Sequence, residues 1–352
     1  MMKFDYVIGN PPYQEEAETK SDVNGQTRSR SVFHYFQEEA DKIADESTVM
    51  VYPGGRWIQR SGKGMNDFGL TQINDVKLKD IYFYPDSSDL FSNAAIADGI
   101  SIVVKKEKKS CPGFSYYYCA DGMEQKVDLE NPGDNIIPLN PNDILLVKKI
   151  ESFVIKYDLK YLHDRVHPQK LFGIESDFVS KNLSSVREYE PGMKFNKKTE
   201  IKLYANDKAG KAGRTRWYIA KRNIITSNID FIDKWKVVVS SANAGGQKRD
   251  NQLEILDNYS VFGRSRVALA SFATKSEAEH FYQYVNSYFV RYAFLMTDEA
   301  LTTLALKVPD IGTYDTNQLI DFDKDIDLQL FEYAGFTAEE ISYLKSKVDN
   351  LR

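Results

Sequence analysis

The sequence predicts an α/β chain in two units: an open, partly parallel sheet, followed by an α+β unit. Three observations predict it. Near the N-terminus the apolar run Tyr6-Val7-Ile8 stops at Gly9 and meets Pro11-Pro12. Phe33, Phe36, Ala40, Ile43 and Ala44 then recur at helical spacing, and Thr48-Val49-Met50-Val51-Tyr52 forms a second apolar run. Strand, loop, helix, strand is the crossover unit of a parallel sheet. Farther on, strand-like runs at Trp235–Ser240 and Val267–Phe272 stand beside helices opened by capping boxes. Finally, 352 residues are enough chain for two cores.

Taken in order, the first strand opens at its C-terminal end into a stiff loop, Asn10-Pro11-Pro12-Tyr13. Such strand ends are where ligands sit in open α/β sheets. Gln14 through Arg30 are polar and lack apolar periodicity, so they read as a mobile loop. A helix is expected from about Val32 to Ala44. The second strand ends at Pro53-Gly54-Gly55, and Gly62-Lys63-Gly64 leads to a short helix near Met65 to Gln72. Ile81–Tyr84 and Ile100–Val104 are the third and fourth strands. Lys105-Lys106-Glu107-Lys108-Lys109 reads as a charged exit that ends a first domain at residues 1–112. Residues 113–142, with Pro132-Gly133, Pro138 and Pro141, read as a connector. In 143–352 a helix is expected near Asp143 to Phe153, then a basic aromatic stretch and the Trp235–Ser240 strand. Thr274-Lys275-Ser276-Glu277 opens a helix predicted to run to about Leu295, and Thr337-Ala338-Glu339-Glu340 opens the last one.

Composition narrows the function classes. Hydrophobic residues make up 42% and aromatics 13%, an ordinary globular interior with many rings. No apolar stretch is long enough to span a bilayer, and the N-terminus lacks a signal-peptide pattern, so a cytoplasmic location and no membrane partner are expected. Cys111 and Cys119 have no metal-type spacing and read as reduced thiols. The formal net charge of -5 is unevenly spread. From Lys194 to Arg222 there are ten Lys or Arg against Glu200 and Asp207, a local +8 that leaves -13 elsewhere. Phe195, Tyr204, Trp217 and Tyr218 are interleaved with these charges, which points to nucleic acid. The DNA-binding candidates are Lys197, Lys198, Lys202, Lys211, Arg214, Arg216, Lys221 and Arg222, with Lys248 and Arg249 in the later loop. The alternative for the segment is a solvated basic loop. His163 and His167 have metal-like spacing, but Pro168 follows, and they read as a core or surface pair.

Asn10 and Pro11 carry the chemistry. The amide carbonyl of Asn10 and the backbone carbonyl of Pro11 are acceptors, and proline's fixed φ holds them in place. Two acceptors converging on one amino group bind both of its hydrogens and aim its lone pair at an electrophile. Tyr13 offers a ring face to a planar base. Methyl transfer to an exocyclic amino group fits this arrangement.

Phe4-Asp5-Tyr6-Val7-Ile8-Gly9-Asn10-Pro11-Pro12-Tyr13-Gln14 closely resembles the catalytic motif of gamma-class N6-adenine DNA methyltransferases of restriction-modification systems. The resemblance extends to Val32-Phe33-His34-Tyr35-Phe36, Pro53-Gly54-Gly55-Arg56-Trp57 and Asp86-Ser87-Ser88-Asp89-Leu90-Phe91. It continues in Asp98-Gly99-Ile100, in Lys236–Ser240, in the helix from Thr274, and in Asp325–Phe331. It implies a partial Rossmann-like methyltransferase sheet followed by an α+β target-recognition domain. Asn10 and Pro11 would hold the amino group of an adenine flipped from duplex DNA, stacked by Tyr13 and Phe91. Pro12 would face S-adenosylmethionine, the implied cofactor. No metal site is expected.

One departure matters. The family's Gly-rich cofactor loop lies upstream of this motif, and only Met1-Met2-Lys3 stand before Phe4 here. The expectation is therefore a fragment or split subunit, inactive alone, completed by an upstream polypeptide or domain. A restriction endonuclease is a further expected partner. Alternatives are a DNA-binding specificity subunit without catalysis, or a methyltransferase acting on RNA or on protein glutamine. A nuclease centre would need Glu200-Ile201-Lys202 plus an upstream acidic residue, and no such partner stands out.

Overall fold

The run Tyr6-Val7-Ile8 does form a strand, and the helix and strand after it follow in the expected order. The computed structural model describes residues 3–16, 29–60, 64–92, 96, 98–210, 213–241, 253–296 and 304–349. It divides into two units, Met1–Leu145 and Leu146–Arg352. The first unit contains β1 (Phe4–Gly9), β2 (Gln14–Glu16), β3 (Ser29–Ser31), α1 (Phe33–Ile43) and β4 (Ala44–Pro53). Then come α2 (Met65–Ile73), β5 (Leu78–Tyr84), β6 (Ile100–Lys106), β7 (Phe114–Ala120) and β8 (Met123–Leu129). Among the described residues these build a six-stranded mixed sheet in the order β1-β4-β6-β5-β7-β8.

β1 is parallel to β4, with Ile8 opposite Val49 and Gly9 opposite Met50. β4 and β5 both run antiparallel to β6. One face is sealed by α1 and α2, whose Phe33, Ala40, Phe68 and Ile73 pack on Met50, Tyr52, Ile81 and Val103. Trp57 is fully buried there and its indole N–H donates to Ser101 Oγ at 2.7 Å.

Three expectations change. Residues 113–142 are not a plain connector: Phe114–Ala120 and Met123–Leu129 are a hairpin on the sheet edge, paired parallel to β5 through Ile81 and Tyr116. The turn residues around them mark the ends of two strands. Lys105 is not part of a charged exit, because it is 1% exposed. The ends of the predicted mobile loop, Gln14–Glu16 and Ser29–Ser31, pair antiparallel, so that loop has an ordered base. Residues 17–28 lie outside the described residues.

From α3 (Pro141–Lys156) onward the chain alternates short strands and helices. β9 (Lys160–Tyr161), α4 (Phe178–Lys181), β10 (Val186–Glu188), β11 (Glu200–Asn206) and β12 (Thr215–Lys221) lead to β13 (Trp235–Ser240). β14 (Leu253–Leu256), β15 (Ser260–Phe262), β16 (Arg266–Phe272), α5 (Lys275–Asn286) and α6 (Tyr288–Leu295) follow. β17 (Pro309–Asp310), α7 (Ile326–Ala334) and α8 (Ala338–Asp349) complete the unit. One sheet is ordered β10-β12-β11-β15 and another β14-β13-β16. The Thr274 capping box forms as predicted. Its helix breaks at Ser287, however, where the Asp327 carboxylate accepts from the backbone of Tyr288 and Phe289, at 2.9 Å each. A carboxylate from a distant segment thus satisfies the start of a second helix.

Lys105 ties the first unit together. Its Nζ lies 2.7 Å from Asp41 on α1 and 2.6 Å from Asp75 after α2. Gln37, fully buried, donates to Asp41 and to Thr48 Oγ1, and accepts from the Tyr52 hydroxyl. Burial alone would raise the Asp75 carboxyl, but hydrogen bonds from Lys105 and the Lys77 backbone hold it below its ordinary range. Lys105→Met leaves two part-buried carboxylates without their cation, and urea denaturation should show a loss of about 2–4 kcal/mol at pH 7. Lys108→Met, on an exposed side chain, should leave the midpoint unchanged. The Asp75 contribution is fully present above the unfolded value of about 4 and is lost as pH falls through its lowered pKa. The gap between wild type and Lys105→Met should therefore narrow in acid.

Candidate functional site

Gly9 ends β1, and a Cβ there would meet Met50 Sδ at 3.1 Å, so the loop leaves tightly against β4. Asn10 is exposed, Pro11 buried, Pro12 exposed and Tyr13 half-buried. The Tyr13 ring packs on the core beside Val7, and burial raises its hydroxyl pKa. Its backbone carbonyl accepts from Val32 N at 3.1 Å, just before α1. β2 and β3 start from that same point, with Gln14 opposite Ser31. Tyr13 is thus pinned between a hairpin base and a helix start, while Asn10 faces outward.

The opposite wall comes from the turn after β5. Asp86 accepts from Ser88 N at 2.8 Å and stabilises a single helical turn. Ser87, buried, receives the Phe91 backbone N–H on its carbonyl at 2.8 Å and the Ile96 N–H on its hydroxyl at 2.9 Å. This serine fixes both arms of the wall. Sequence reasoning did not single it out, and the Asp-Ser-Ser turn was its only signal. Asp98 and Gly99, both at positive φ, return the chain to β6. Their carbonyls accept from Gly55 and Gly54, and Arg56 pairs with Asp98 at 2.8 Å. A side chain at Gly99 would strike the Tyr84 carbonyl at 2.1 Å. Two stretches far apart in sequence, Pro53–Trp57 and Asp98–Ile100, therefore brace one another.

Between the walls lies a cavity of about 570 Å³, lined by Asn10, Pro11, Pro12 and Tyr13 on one side and by Phe91, Ser92 and Ile96 on the other. The predicted stacking pair, Tyr13 and Phe91, reaches the same space. Rings and prolines with a few hydrogen-bonding atoms suit a planar base. A nucleoside cofactor fits less well. Pro12 provides an apolar wall, but among the described lining residues none carries a carboxylate for a ribose diol.

The basic stretch in the second unit folds as the hairpin of β11 and β12. Its cations divide. Lys202 is bridged to Asp257, and Arg222 forms a fork on Asp233, one arm at 2.8 Å. These two hold the fold. Arg216 is exposed and 3.7 Å from Glu188, and the Arg214 backbone donates to Asp207 at 2.9 Å. Lys197 covers the Tyr259 ring at 4.2 Å, and Lys198 and Lys221 are exposed. Lys211, Lys248, Arg249, and Gly62-Lys63 of the earlier loop lie outside the described residues. On the same hairpin Tyr204 and Trp217 meet at 4.8 Å, and the Arg266 guanidinium lies 5.1 Å above Tyr204. Arg266, buried and 3.5 Å from Glu254, reaches that ring from β16 and is a packing cation that the sequence spacing does not reveal.

Glu200 is held by a fork from Arg187 and by the Asn196 N–H, which lower its carboxyl pKa. Glu200 and Lys202 thus each belong to an ion pair. Among the described residues no group of three His, Cys, Asp or Glu is placed to hold a metal. His163 faces the Leu304 carbonyl and His167 faces Ser271. Burial, then Lys234 and Lys236, push the His167 pKa down.

Comparison with known proteins bears on the first unit. Residues 1–91 match the family of the Eco57I restriction-modification methylase. An uncharacterized adenine-specific methylase of Mycoplasma pneumoniae is 34% identical over 101 residues, covering 28% of this chain and 23% of that protein. Among solved structures, the type IIG restriction endonuclease BpuSI aligns with 98% of the chain and 53% of its own, at 10% identity and TM-score 0.35. The type IIL restriction-modification enzyme MmeI, solved in complex with DNA, aligns with 97% of the chain and 56% of its own, at 10% identity and TM-score 0.37. Structural likenesses this weak decide nothing about the site. The matches span about a quarter of the curated relative and about half of each enzyme. The segment that matches the Eco57I restriction-modification methylases is the one that carries the Asn-Pro-Pro-Tyr loop.

Proposed function

We propose that the chain supplies the acceptor side of an adenine-specific DNA methyltransferase in a restriction-modification system. The observation that carries this is the Asn10–Tyr13 loop facing Phe91 across a cavity of about 570 Å³, roomy enough for a planar base. Asn10 and the Pro11 carbonyl would take the two hydrogens of the exocyclic amino group. Tyr13 and Phe91 would hold the ring of an adenine extruded from duplex DNA, at an unstacking cost of a few kcal/mol. S-adenosylmethionine is the methyl donor this reaction calls for.

Pro12 is the only contact this loop would offer that donor, and the first unit has a surface on which a second polypeptide could bring the rest. β1 is the edge of its sheet among the described strands, with Tyr6 64% and Ile8 77% exposed. In register with them, Ile8, Val49 and Val104 form one row, and Val51, Ile102, Tyr82 and Tyr117 form another. These rows lie on the face away from α1 and α2 and are only partly buried. An open strand edge beside such a face favours strand addition and a covering layer. The partner would be a polypeptide or domain bearing the donor site. A restriction endonuclease would act alongside it.

The second unit would bind the duplex as a target-recognition domain through Lys197, Lys198, Arg214, Arg216 and Lys221, with Lys202 and Arg222 acting through the fold. The half-buried Tyr204 and Trp217 rings on the same hairpin as these cations support a nucleic-acid reading over a protein substrate. Calorimetric titration of this chain with S-adenosylmethionine should show no micromolar binding, and such binding would sink the split-site reading. Duplex binding should weaken steeply with salt, and Arg216→Ala should lower the salt slope by about 1. An unchanged slope would remove Arg216 from the interface.

A further inference from the structure

We infer that a cavity in the second unit, separate in its residues from the Asn10 site, binds one nucleotide unit: a planar base with its sugar and phosphate. It lies between Lys198–Glu200, the end of β12, and the turns at Arg222–Ile224 and Ile229–Phe231. Its volume is about 670 Å³, in the range of small-ligand pockets. Ile225 and Ile232 are buried in its floor, while Ile229 stands 53% exposed at its side. A large apolar side chain left in water at a cavity mouth is a surface for the face of a base.

The charges around it are already sorted. Arg222 is neutralised by its fork on Asp233, and Glu200 is drawn to Arg187. Lys198 and Lys221 remain, both exposed, and no side-chain ion pair or hydrogen bond holds either of them among the described residues. Two such ammonium groups over an apolar floor suit a phosphate attached to a ring. Asn223 and Asp230 offer a donor and acceptors for base or sugar edges. Lys236 Nζ donates to the carbonyls of Phe231 and Ile232 and so holds the turn that forms this floor.

The nucleotide could be free in solution or belong to a DNA strand, and only the second source rests on the DNA reading above. The test titrates the full chain, by calorimetry, with AMP, GMP, CMP and TMP, with inorganic phosphate, and with paired and single-nucleotide-bulged duplexes. At least one mononucleotide should bind saturably and roughly tenfold tighter than phosphate. Lys198→Gln with Lys221→Gln, and separately Ile229→Asp, should each weaken it roughly tenfold, with circular dichroism confirming the fold. Asn10→Ala should leave the binding of GMP, CMP or TMP unchanged, whereas AMP can also enter the Asn10 cavity, so failure here is distinguishable from failure at the Asn10 cavity. A bulged duplex bound tighter than the paired one, with that difference lost in the lysine variants, assigns the nucleotide to DNA, and mononucleotide binding without such a difference assigns it to a free ligand. Absence of saturable mononucleotide binding, phosphate binding as tightly, or loss with Asn10→Ala but not with the lysine variants would each overturn the inference.

Discussion

The parallel register of β1 on β4 is the constraint on which the first unit depends. Ile8 opposite Val49 and Gly9 opposite Met50 deliver the Asn-Pro-Pro-Tyr loop to the sheet end where β4 turns through Gly54 and Gly55. A slip of one residue would turn Val7 out of the core and drive Ile8 into it. It would also withdraw Tyr13 from its hydrogen bond to Val32 and so from the start of α1. The prolines then do the local work: Pro11 is buried, which leaves the neighbouring amide of Asn10 facing outward on a stiff backbone.

The buried ion network keeps that register in place from behind. Lys105 reaches across from β6 to α1 and to the turn after α2, so the helix that follows the loop cannot drift from the sheet. An apolar residue could seal the same space, but it would not select among positions of α1 as a cation between two carboxylates does. The glycine-rich turns brace the far wall similarly, since Gly54 and Gly99 share a hydrogen bond of 2.7 Å that their positive φ angles allow.

Features set by neighbours in sequence were legible: the β1 run, the Asn10–Tyr13 loop, the order of α1 and β4, and the capping boxes at Thr274 and Thr337. What escaped reading depends on partners far along the chain. Lys105 looks like one of five charged residues until Asp41 and Asp75 are placed beside it. Phe114–Leu129 looks like a connector because its strands are short and bounded by turns, and only pairing with β5 reveals them. The helix after Thr274 reads as continuous because its break is supplied by Asp327. The basic stretch looks uniform until Asp257 and Asp233 engage Lys202 and Arg222. Composition counts charges, but it does not say which ones are already paired.

Whether Asn10 and Pro11 grip the two hydrogens of an adenine amino group can be tested without knowing any target sequence. Nuclear magnetic resonance of the chain, titrated with adenosine and with its dimethylated analogue that has no amino hydrogens, measures this directly. Adenosine should shift the Asn10 side-chain and Tyr13 ring signals and bind roughly tenfold tighter than the analogue. Equal binding of the two, or shifts that spare Asn10, would contradict that grip.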